Sequence, residues 1–519
     1  MQDLGRATDT TQVSVAVVLN YRNEDQLDQL IEAQGTPGSG SFHHFLTPQQ
    51  FARRFGPTEA DYQATIGQLR DAGFTITHTF TNRTTIDASA PAPVAERLFS
   101  TEIHVVRRPD GLMAYRNVRP ETIPASLART VVAVVGLDSA TSMRPQYVFK
   151  SGHHVVPSVL VRRTAKPPLF GPDNGYGPQI YRINYKFPKK LTGQKRASAF
   201  VGNADFLDTD VSGYLSYFEV NRTGPATKRV LVDGGPPQGI SEDSVEATLD
   251  IETLVSIAPG TAIYAYEVPF SATLEYFTDA YTQLVQDDFA DTVNTSYSEC
   301  ETAFTVSFPK ASNHIFKQGA AEGITFHASS GDSGDHTYGC EGSPPSVGTP
   351  TDDPVNISIG GTTMFVDRTS GKETSELGWG GSGGGVSVVF KLPKYQKGVT
   401  NIITTGRNLP DLSFDSDPNT GESFYFEGAF QGPIGGTSLG SPIFGAGLTV
   451  IDQMQNSRAG YFNPALYSTW EKDGYKKGKT VYLRDITSGN NGGFSAGPGY
   501  DQMSGIGAMI FGNFGPLLK

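Results

Sequence analysis

Ser438 lies in the stretch GGTSLGSP, residues 435–442, and is the first candidate for a nucleophile. A serine hydroxyl attacks a carbonyl carbon only when a neighbouring base takes its proton, and the most common base is a histidine. The chain has nine histidines, but none of them lies in the H-G-T stretch that usually carries this base. Another side chain must therefore take the proton from Ser438.

Two carboxylates provide an alternative base. Glu246 and Asp250 lie four residues apart in SVEATLDIETLVSIAP, residues 244–259, and this spacing places both on one face of a predicted helix. Such a pair is usually a solvated acidic face. This helix is mostly apolar, however, and buried carboxylates must share protons or find partners. We therefore predict that Glu246 is the base and that Asp250 orients it.

Asp332 is the candidate for stabilising the negative charge that develops on the attacked carbonyl oxygen. It lies in ASSGDSGDH, residues 328–336, directly after an apolar run. A carboxylic acid that its surroundings keep protonated can donate a hydrogen bond to this oxyanion. The structural alternative is an Asp that only shapes a glycine-rich turn.

The same stretch makes Ser333 a rival nucleophile, because G-D-S-G also surrounds the nucleophile of chymotrypsin-like peptidases. Those peptidases have an all-β fold and carry their histidine in an A-A-H-C context, which this chain lacks. Ser438 is therefore the preferred nucleophile.

A further candidate site is the stretch RDITSGNNGGFSAGPGYDQMSGIG, residues 484–507, which is rich in Asp and Gly. Carboxylate and carbonyl oxygens are the ligands that Ca²⁺ prefers. The stretch DSDPNTG, residues 415–421, resembles a calcium loop at first sight. It lacks Gly at the sixth loop position and Glu at the twelfth, so we interpret it as a turn.

These residues need a scaffold, and the pattern from residue 176 onward predicts one. Buried-strand runs at 196–202, 261–268, 291–298 and 324–331 alternate with helical stretches. Parallel buried strands with helical crossovers form a doubly wound, mainly parallel α/β sheet. Active sites of such sheets lie at the carboxyl ends of the strands, so the polar stretches that follow these runs are candidates on geometry alone.

Residues 11–140 differ in pattern and predict a small α+β domain. The run 13–19 alternates as a strand does, 24–34 has helical spacing, and 58–73 is a predicted helix with Thr58 as its N-cap. Strands and two helices in this order fit an antiparallel sheet that packs against helices.

Residues 145–175 join the two parts. They are rich in proline, lack periodicity and carry the basic residues Arg162, Arg163 and Lys166. Exposed, irregular linkers of this kind are sites of proteolytic cutting, and a plain interdomain connection is the other interpretation.

Composition narrows the class of protein. The 519 residues carry a formal net charge of −12 without basic clusters of the kind that neutralise phosphates, so we expect no nucleic-acid partner. No apolar run approaches the ~20 residues that span a bilayer, so we expect no membrane insertion. The N-terminus, MQDLGRATDT, lacks the features of a signal peptide, and we expect an exported protein whose signal was removed. Cys300 and Cys340 fit either a disulfide or two free thiols.

Together the motifs resemble those of the sedolisins, the serine-carboxyl peptidase family. The matching stretches follow the family order, with E-x-x-x-D at 246–250, S-G-D-S-G at 330–334 and G-T-S-x-x-x-P at 436–442. The first 140 residues, including SFHHFLTPQQFARRFGPT at 41–58, resemble the activation propeptide of that family. The resemblance covers nearly the whole chain.

The resemblance implies a subtilisin-like fold and a role for each candidate residue. Ser438 is the implied nucleophile, Glu246 the base, Asp250 its support and Asp332 the oxyanion donor. It also implies one calcium ion, held by the side chains of Asp485 and Asp501 and by the carbonyls of Ile486, Gly497 and Gly499. Two positions depart from the family, which usually has Ser at Gly435 and Gly at Ser298. The second departure concerns the substrate-binding edge and therefore specificity.

We therefore expect an acid-acting endopeptidase made as a self-activating zymogen. Residues 1–144 form the expected propeptide and intramolecular inhibitor, 145–175 the linker with the processing region, and 176–519 the catalytic domain. The expected substrates are proteins or peptides, and the expected state is a secreted monomer. An exopeptidase of the tripeptidyl type and an inactive homologue that only binds peptides are the alternatives.

Overall fold

Parallel strands run through the centre of the part that follows the linker. The structure is a computed structural model, and it describes residues 1–152, 155–157, 167–241, 243–303, 305–336, 340 and 346–518. Within those ranges the main sheet has eight strands, in the order Lys228–Leu231, Ala262–Glu267, Ala197–Gly202, Thr292–Thr295, Thr325–Ser329 and Ile357–Val366, the last of which pairs with both Leu412–Asp415 and Glu373–Gly378. Only the pairing with Glu373–Gly378 is antiparallel. The predicted doubly wound, mainly parallel sheet is confirmed.

Helices cover both faces of this sheet. Asn294 accepts a hydrogen bond from Ser441 in the helix Thr437–Gln455, whereas Thr295 bonds to Tyr281 in the helix Leu274–Asp287. Successive side chains of a strand point to opposite faces, so the two helices lie on opposite sides. The remaining helices of this part are Pro178–Asn184, Asp208–Tyr217, Ser244–Ile257, Ser307–Glu322, Phe462–Asp473 and Phe511–Phe514, with 3₁₀ turns at Lys394–Gln396 and Gly515–Leu517.

Short strands complete the scaffold around the sheet. They are Arg144–Pro145, Val148–Phe149, Val156–Pro157, Tyr297–Cys300, Gly348–Thr349, Gly385–Val386, Asn408–Leu409, Tyr425–Phe426, Ala429–Phe430, Ile434–Gly435, Lys476–Lys477, Thr480–Val481, Leu483–Arg484 and Ala508–Met509.

The N-terminal part is a small α+β unit, as its pattern predicts. An antiparallel sheet has the strand order Thr75–Thr79, Thr85–Pro91, Gln12–Leu19 and Val131–Val135, and a second sheet contains Gln2–Arg6, Ile103–Arg107 and Met113–Asn117. The helices are Glu24–Gly35, Pro48–Arg54, Glu59–Asp71 and Ala92–Phe99. The hydroxyl of Thr58 accepts from the N–H of Asp61, so this predicted N-cap is confirmed.

The strand Gln12–Leu19 shows how the two parts are joined. Val13, Val15 and Val17 belong to a hydrophobic core inside the N-terminal part. Val18 points the other way and belongs to the large core of the chain, which continues through the main sheet. This strand therefore carries apolar side chains on both faces, because one face packs against its own helices and the other against the main body.

Polar contacts reinforce this packing. Lys317, in the helix Ser307–Glu322, forms ion pairs with Glu24 at 3.2 Å and with Asp28 at 2.8 Å. The side chain of Gln286 accepts from the hydroxyl of Thr81 at 2.7 Å. The N-terminal part is thus docked on two helices of the main body.

The linker differs from its expected exposed path. Its first residues are paired as strands inside the molecule, and Gln146 is only 4% exposed. The basic residues Arg162, Arg163 and Lys166 lie outside the described residues. Gln146 is buried because the start of the linker lies in a cleft beside the candidate catalytic residues.

Candidate active site

Ser438 is the second residue of the helix Thr437–Gln455, here called the nucleophile helix. The preceding residue, Gly436, has a φ of +100°, which favours glycine and turns the chain from a short strand into the helix. The hydroxyl of Ser438 donates to Oε2 of Glu246 at 3.0 Å. The predicted nucleophile and the predicted base, 192 residues apart in the sequence, are therefore in direct contact.

Glu246 and Asp250 lie on the helix Ser244–Ile257, here called the carboxyl helix, which packs against the nucleophile helix. Both side chains are fully buried, so the alternative of a solvated acidic face is wrong. Burial raises the pKa of Glu246 well above its usual range, and the carboxylate of Asp250 raises it further. Two interacting buried carboxyls titrate as a pair, and this pair binds its protons at a higher pH than free carboxyls do.

Asp250 has its own anchors. Its Oδ1 accepts from the side-chain amide of Asn294 at 2.8 Å and from the hydroxyl of Ser296 at 2.7 Å. These hydrogen bonds favour the ionised carboxyl and partly offset the burial that raises the pKa of Asp250. Sequence reasoning missed Asn294 and Ser296, although both lie in the buried run 291–298, Asn294 inside its strand and Ser296 directly after it.

The structure also shows where one buried histidine, His327, lies relative to Ser438. His327 is fully buried, and its Nδ1 lies 2.9 Å from the hydroxyl of Ser441, one turn along the nucleophile helix from Ser438. Burial lowers the pKa of His327 to about 3, so this imidazole is neutral. Ser441 donates to Asn294, and His327 therefore belongs to the polar support behind Asp250. Its hydrogen-bond partner is Ser441 and not Ser438.

Asp332 contacts Thr437, the residue directly before Ser438. Its Oδ1 accepts both the backbone N–H and the hydroxyl of Thr437, at 2.7 and 2.8 Å. Its Oδ2 is a buried atom without a hydrogen-bond partner. Burial raises the pKa of Asp332 to about 7, so at acidic pH the carboxyl carries a proton that Oδ2 can donate. Ser333, the rival nucleophile, is exposed to solvent, whereas Ser438 has a base in contact.

The residues of the predicted calcium site also lie together. A carboxylate oxygen of Asp485 accepts from the N–H of Gly499 at 3.3 Å, and Asp501 accepts from the N–H of Gly497 at 2.9 Å. Ser504 connects Asp501 to the carbonyl of Ile486. Burial raises the pKa of both Asp485 and Asp501, and neither carboxyl forms an ion pair with a basic side chain in the described part of the chain. This set of oxygen donors without a compensating charge fits a cation.

A second group of carboxyls lies between the N-terminal part and the main body. One ligand-type oxygen from each of Asp87, Asp233 and Asp279 lies within 4.8 Å of the others. Asp87 and Asp279 are almost completely buried, and burial raises the pKa of both. Sequence reasoning missed this group, because its members come from distant segments.

Cys300 and Cys340 form a disulfide, which settles the alternative that the sequence left open. The bond ties the end of the strand Tyr297–Cys300 to the segment after the Asp332 turn. This strand, here called the edge strand, includes Ser298, one of the two departures from the family pattern. The other departure, Gly435, leaves no room for a side chain, because a Cβ there would overlap the carbonyl of Ser416.

Comparison with known proteins gives matches along almost the whole chain. Residues 1–140 match the family model described as Pro-kumamolisin, activation domain. Sedolisin from Pseudomonas sp. (strain 101) is 32% identical over 524 residues, which cover 95% of this chain and 85% of that protein. Tripeptidyl-peptidase 1 from Canis lupus familiaris is 26% identical, covering 99% of this chain and 92% of that protein.

A solved structure gives a similar result. Pseudomonas sedolisin (serine-carboxyl proteinase) complexed with two molecules of pseudo-iodotyrostatin superposes with a TM-score of 0.59 and 27% identity. The superposition covers 68% of this chain and 98% of that one.

None of the helices in the described residues has the length and apolar character that crossing a membrane requires.

Proposed function

The chain belongs to the sedolisin family of serine-carboxyl peptidases, and we propose that Ser438, Glu246, Asp250 and Asp332 are its catalytic machinery. It is a serine-type peptidase with an N-terminal activation domain. The observation that carries the proposed roles is the hydrogen bond from Ser438 Oγ to Glu246 Oε2 at 3.0 Å, next to the unpartnered Oδ2 of Asp332.

The proposed reaction begins with attack of the Ser438 oxygen on a peptide carbonyl. Glu246 takes the hydroxyl proton, and Asp250 shares the charge of the carboxyl pair. The N–H of Ser438 and the protonated Oδ2 of Asp332 donate to the oxyanion. Glu246 then gives its proton to the leaving amine. Water hydrolyses the acyl-serine by the same steps in reverse order.

Acid-dependent activity follows from these roles. Glu246 must be ionised to act as a base, whereas Asp332 must be protonated to act as a donor. Asp332 loses its proton as the pH rises through about 7, so the donor is present below that value. The peptidase is therefore an acid-acting one, active in a window that lies below the pKa of Asp332 and above that of the Glu246–Asp250 pair.

Residues 1–144 are proposed as the activation propeptide and intramolecular inhibitor, 145–175 as the linker that contains the processing region, and 176–519 as the catalytic domain. The support for inhibition is the linker, which fills the cleft on both sides of Ser438. A cleft that accepts chain on both sides supports endopeptidase action. The relative named tripeptidyl-peptidase 1 favours an exopeptidase as the second candidate.

Calcium is proposed to bind at Asp485 and Asp501, with carbonyls of Ile486, Gly497 and Gly499 as further ligands. A bound ion would neutralise the two carboxylates and stabilise the loop. An exported, monomeric protein is also proposed, and the disulfide Cys300–Cys340 supports an oxidising compartment.

Ser438→Ala tests the proposed function. The variant should fold with an unchanged melting temperature and lose all digestion of a denatured protein at pH 4. Sequencing the products of the parent separates the remaining alternatives, since an endopeptidase releases internal fragments and an exopeptidase releases successive tripeptides. Digestion by Ser438→Ala at the parental rate would reject the assignment of the nucleophile.

A further inference from the structure

The start of the linker lies in the cleft in the way that an extended peptide substrate would. Arg144–Pro145 pairs antiparallel with the edge strand, and Val148–Phe149 pairs antiparallel with Ile434–Gly435. Between these pairings, Gln146 donates its N–H to the carbonyl of Ser296 at 3.0 Å. The chain is thus held on both sides of the point where it passes the nucleophile.

The carbonyl of Gln146 lies where an oxyanion would form. It accepts the N–H of Ser438 at 2.9 Å. A Cβ placed on Gly436 would lie 2.5 Å from this carbonyl oxygen and 2.5 Å from Oδ2 of Asp332, so both oxygens approach the same point above Gly436. The same Cβ would lie 2.7 Å from the Cα of Tyr147, which places the next residue over the turn. Gly436 is therefore needed for space as well as for its backbone conformation.

We infer that the peptide bond between Gln146 and Tyr147 is the bond that this zymogen cuts in itself. The inference rests on the proposed roles of Ser438, Glu246 and Asp332 and adds the substrate of the first turnover. Four contacts carry it: strand pairing before the bond, strand pairing after it, the Gln146 N–H on Ser296, and the Gln146 carbonyl on the N–H of Ser438. The bond falls at the beginning of the linker, before Arg162, Arg163 and Lys166 in the sequence.

Water is the only additional reactant that this cleavage requires. The Ser438 oxygen bonds to the carbonyl carbon of Gln146 while its proton passes to Glu246. The bond from that carbon to the nitrogen of Tyr147 then breaks, and the nitrogen takes the proton to become the new amino terminus. Water hydrolyses the ester between Gln146 and Ser438, which releases residues 1–146 with a carboxylate end.

Water can reach the bond from a cavity beside it. This cavity has a volume of about 890 Å³ and is lined by Gln146, Tyr147, Asp332, Asn203 and Phe270, among others. It extends to the N-terminal part at Leu112. The ester on Ser438 can therefore be hydrolysed while the N-terminal part is still docked.

The same contacts predict which peptides the mature enzyme takes in this register. The Gln146 side chain is buried and uncharged, and its amide donates to the carbonyl of Arg144 at 3.0 Å. A synthetic peptide with the sequence of residues 141–152, TSMRPQYVFKSG, should be cut between Gln and Tyr. The same peptide with Glu in place of Gln serves as the matched control and should be cut more slowly at a pH above the ordinary Glu pKa of about 4.3, because burial disfavours the charged form.

The decisive experiment is acidification of the full-length chain with intact-mass and N-terminal sequence analysis of the earliest products. We expect a fragment of residues 1–146 and a second chain that begins at Tyr147. The rate should be independent of protein concentration, because the bond lies in its own active site. A first cut elsewhere, in a chain that still digests an added denatured protein, would overturn this inference and leave the proposed function intact.

A proline variant gives an independent test. Tyr147→Pro should lose the first cut, because the leaving nitrogen becomes a ring atom without an N–H. Val155→Pro, at a position that is 58% exposed, is the matched control and should be cut like the parent. Melting temperatures verify that both variants fold, and an unchanged first cut in folded Tyr147→Pro contradicts the inference. If no variant or parent cuts itself or an added protein at any acidic pH, the proposed function fails instead.

Discussion

Thr437 donates both its backbone N–H and its hydroxyl to a single oxygen of Asp332, at 2.7 and 2.8 Å, and leaves the second oxygen of that carboxyl free to act. The residue directly before the proposed nucleophile thus sets the orientation of the proposed oxyanion donor. These two hydrogen bonds fix the carboxyl of Asp332 to the helix that carries Ser438. The carboxyl and the serine hydroxyl therefore keep fixed positions relative to a bound carbonyl.

Asp332→Asn should change the pH profile of the mature enzyme. Asn donates a hydrogen bond without needing a proton, so the loss of kcat/KM on the alkaline side, which follows ionisation of a carboxyl with a pKa of about 7, should flatten. The maximal kcat/KM should fall by roughly 100-fold, the size expected when one oxyanion donor is replaced. The measurement is kcat/KM from pH 2 to 8 with enzyme activated beforehand. A variant that loses activity with rising pH as steeply as the parent would contradict this role.

Ser296→Ala should move the acidic side of the same profile. The lost hydrogen bond stabilised ionised Asp250, so the pKa of that carboxyl rises further above its usual value. The carboxyl pair is then fully protonated at a higher pH, and activity is lost earlier as the pH falls. Thr295→Ala is the matched control, because Thr295 bonds to Tyr281 on the opposite face of the sheet. If Ser296→Ala and the parent lose activity at the same acidic pH, the hydrogen bond from Ser296 does not set the pKa of the carboxyl pair.

Removal of calcium should lower the melting temperature of the catalytic domain. A ligand that binds only the folded state stabilises it by about 2.7 kcal/mol at 100 times its Kd. Calorimetry of Ser438→Ala protein with calcium and with a chelator measures the effect. Asp501→Ala should melt at one temperature in both conditions, at or below that of the chelated protein, because Asp501 also accepts the N–H groups of Met503 and Ser504. A parent protein that is insensitive to exhaustive chelation would exclude the site.

Asp87→Asn should stabilise the zymogen at neutral pH. Asp87 has an ordinary pKa near 3.9 in the unfolded chain, and burial raises it to about 7 in the folded chain. The folded state therefore binds the proton more tightly, and stability falls as the pH rises from the ordinary pKa to the raised one. Asn does not titrate, so this loss disappears.

The measurement is the melting temperature of Asp87→Asn in a Ser438→Ala background, which prevents self-cleavage. It should exceed that of the background protein at pH 7 to 8 and equal it near pH 3. Asp9→Asn, a substitution of an exposed carboxyl in the same domain, controls for the change in net charge. A lower melting temperature for Asp87→Asn at pH 7 would contradict the expected sign.

The sequence predicts those parts of the molecule that depend on local pattern. Continuous apolar runs identified the parallel strands, and the four-residue spacing of Glu246 and Asp250 placed them on one helix face. Thr58 was recognisable as an N-cap because its chemistry is local. Ser438, Glu246 and Asp332 come from three separate segments. Only the order of their motifs along the chain, which resembles that of a known family, indicates that they form one site.

Features that depend on contacts between distant segments could not be predicted in this way. Asn294 and Ser296 are single polar residues at the end of a strand, and no pattern distinguishes an anchor for Asp250 from an ordinary turn. The pairing of Arg144–Pro145 with the edge strand depends on the shape of the cleft and not on the linker's own irregular sequence. Two cysteines alone do not reveal whether they meet.

The docking of the N-terminal domain through Val18 and Lys317 has a consequence for how activity appears. While the linker is intact, its two ends are parts of one molecule, and the cleft stays filled at any protein concentration. Once the bond after Gln146 is cut, the N-terminal domain is a separate molecule that still fits its docking surface. Occupancy of the cleft then follows mass action. At high concentration the cut protein should therefore remain mostly inhibited, and dilution should release its peptidase activity.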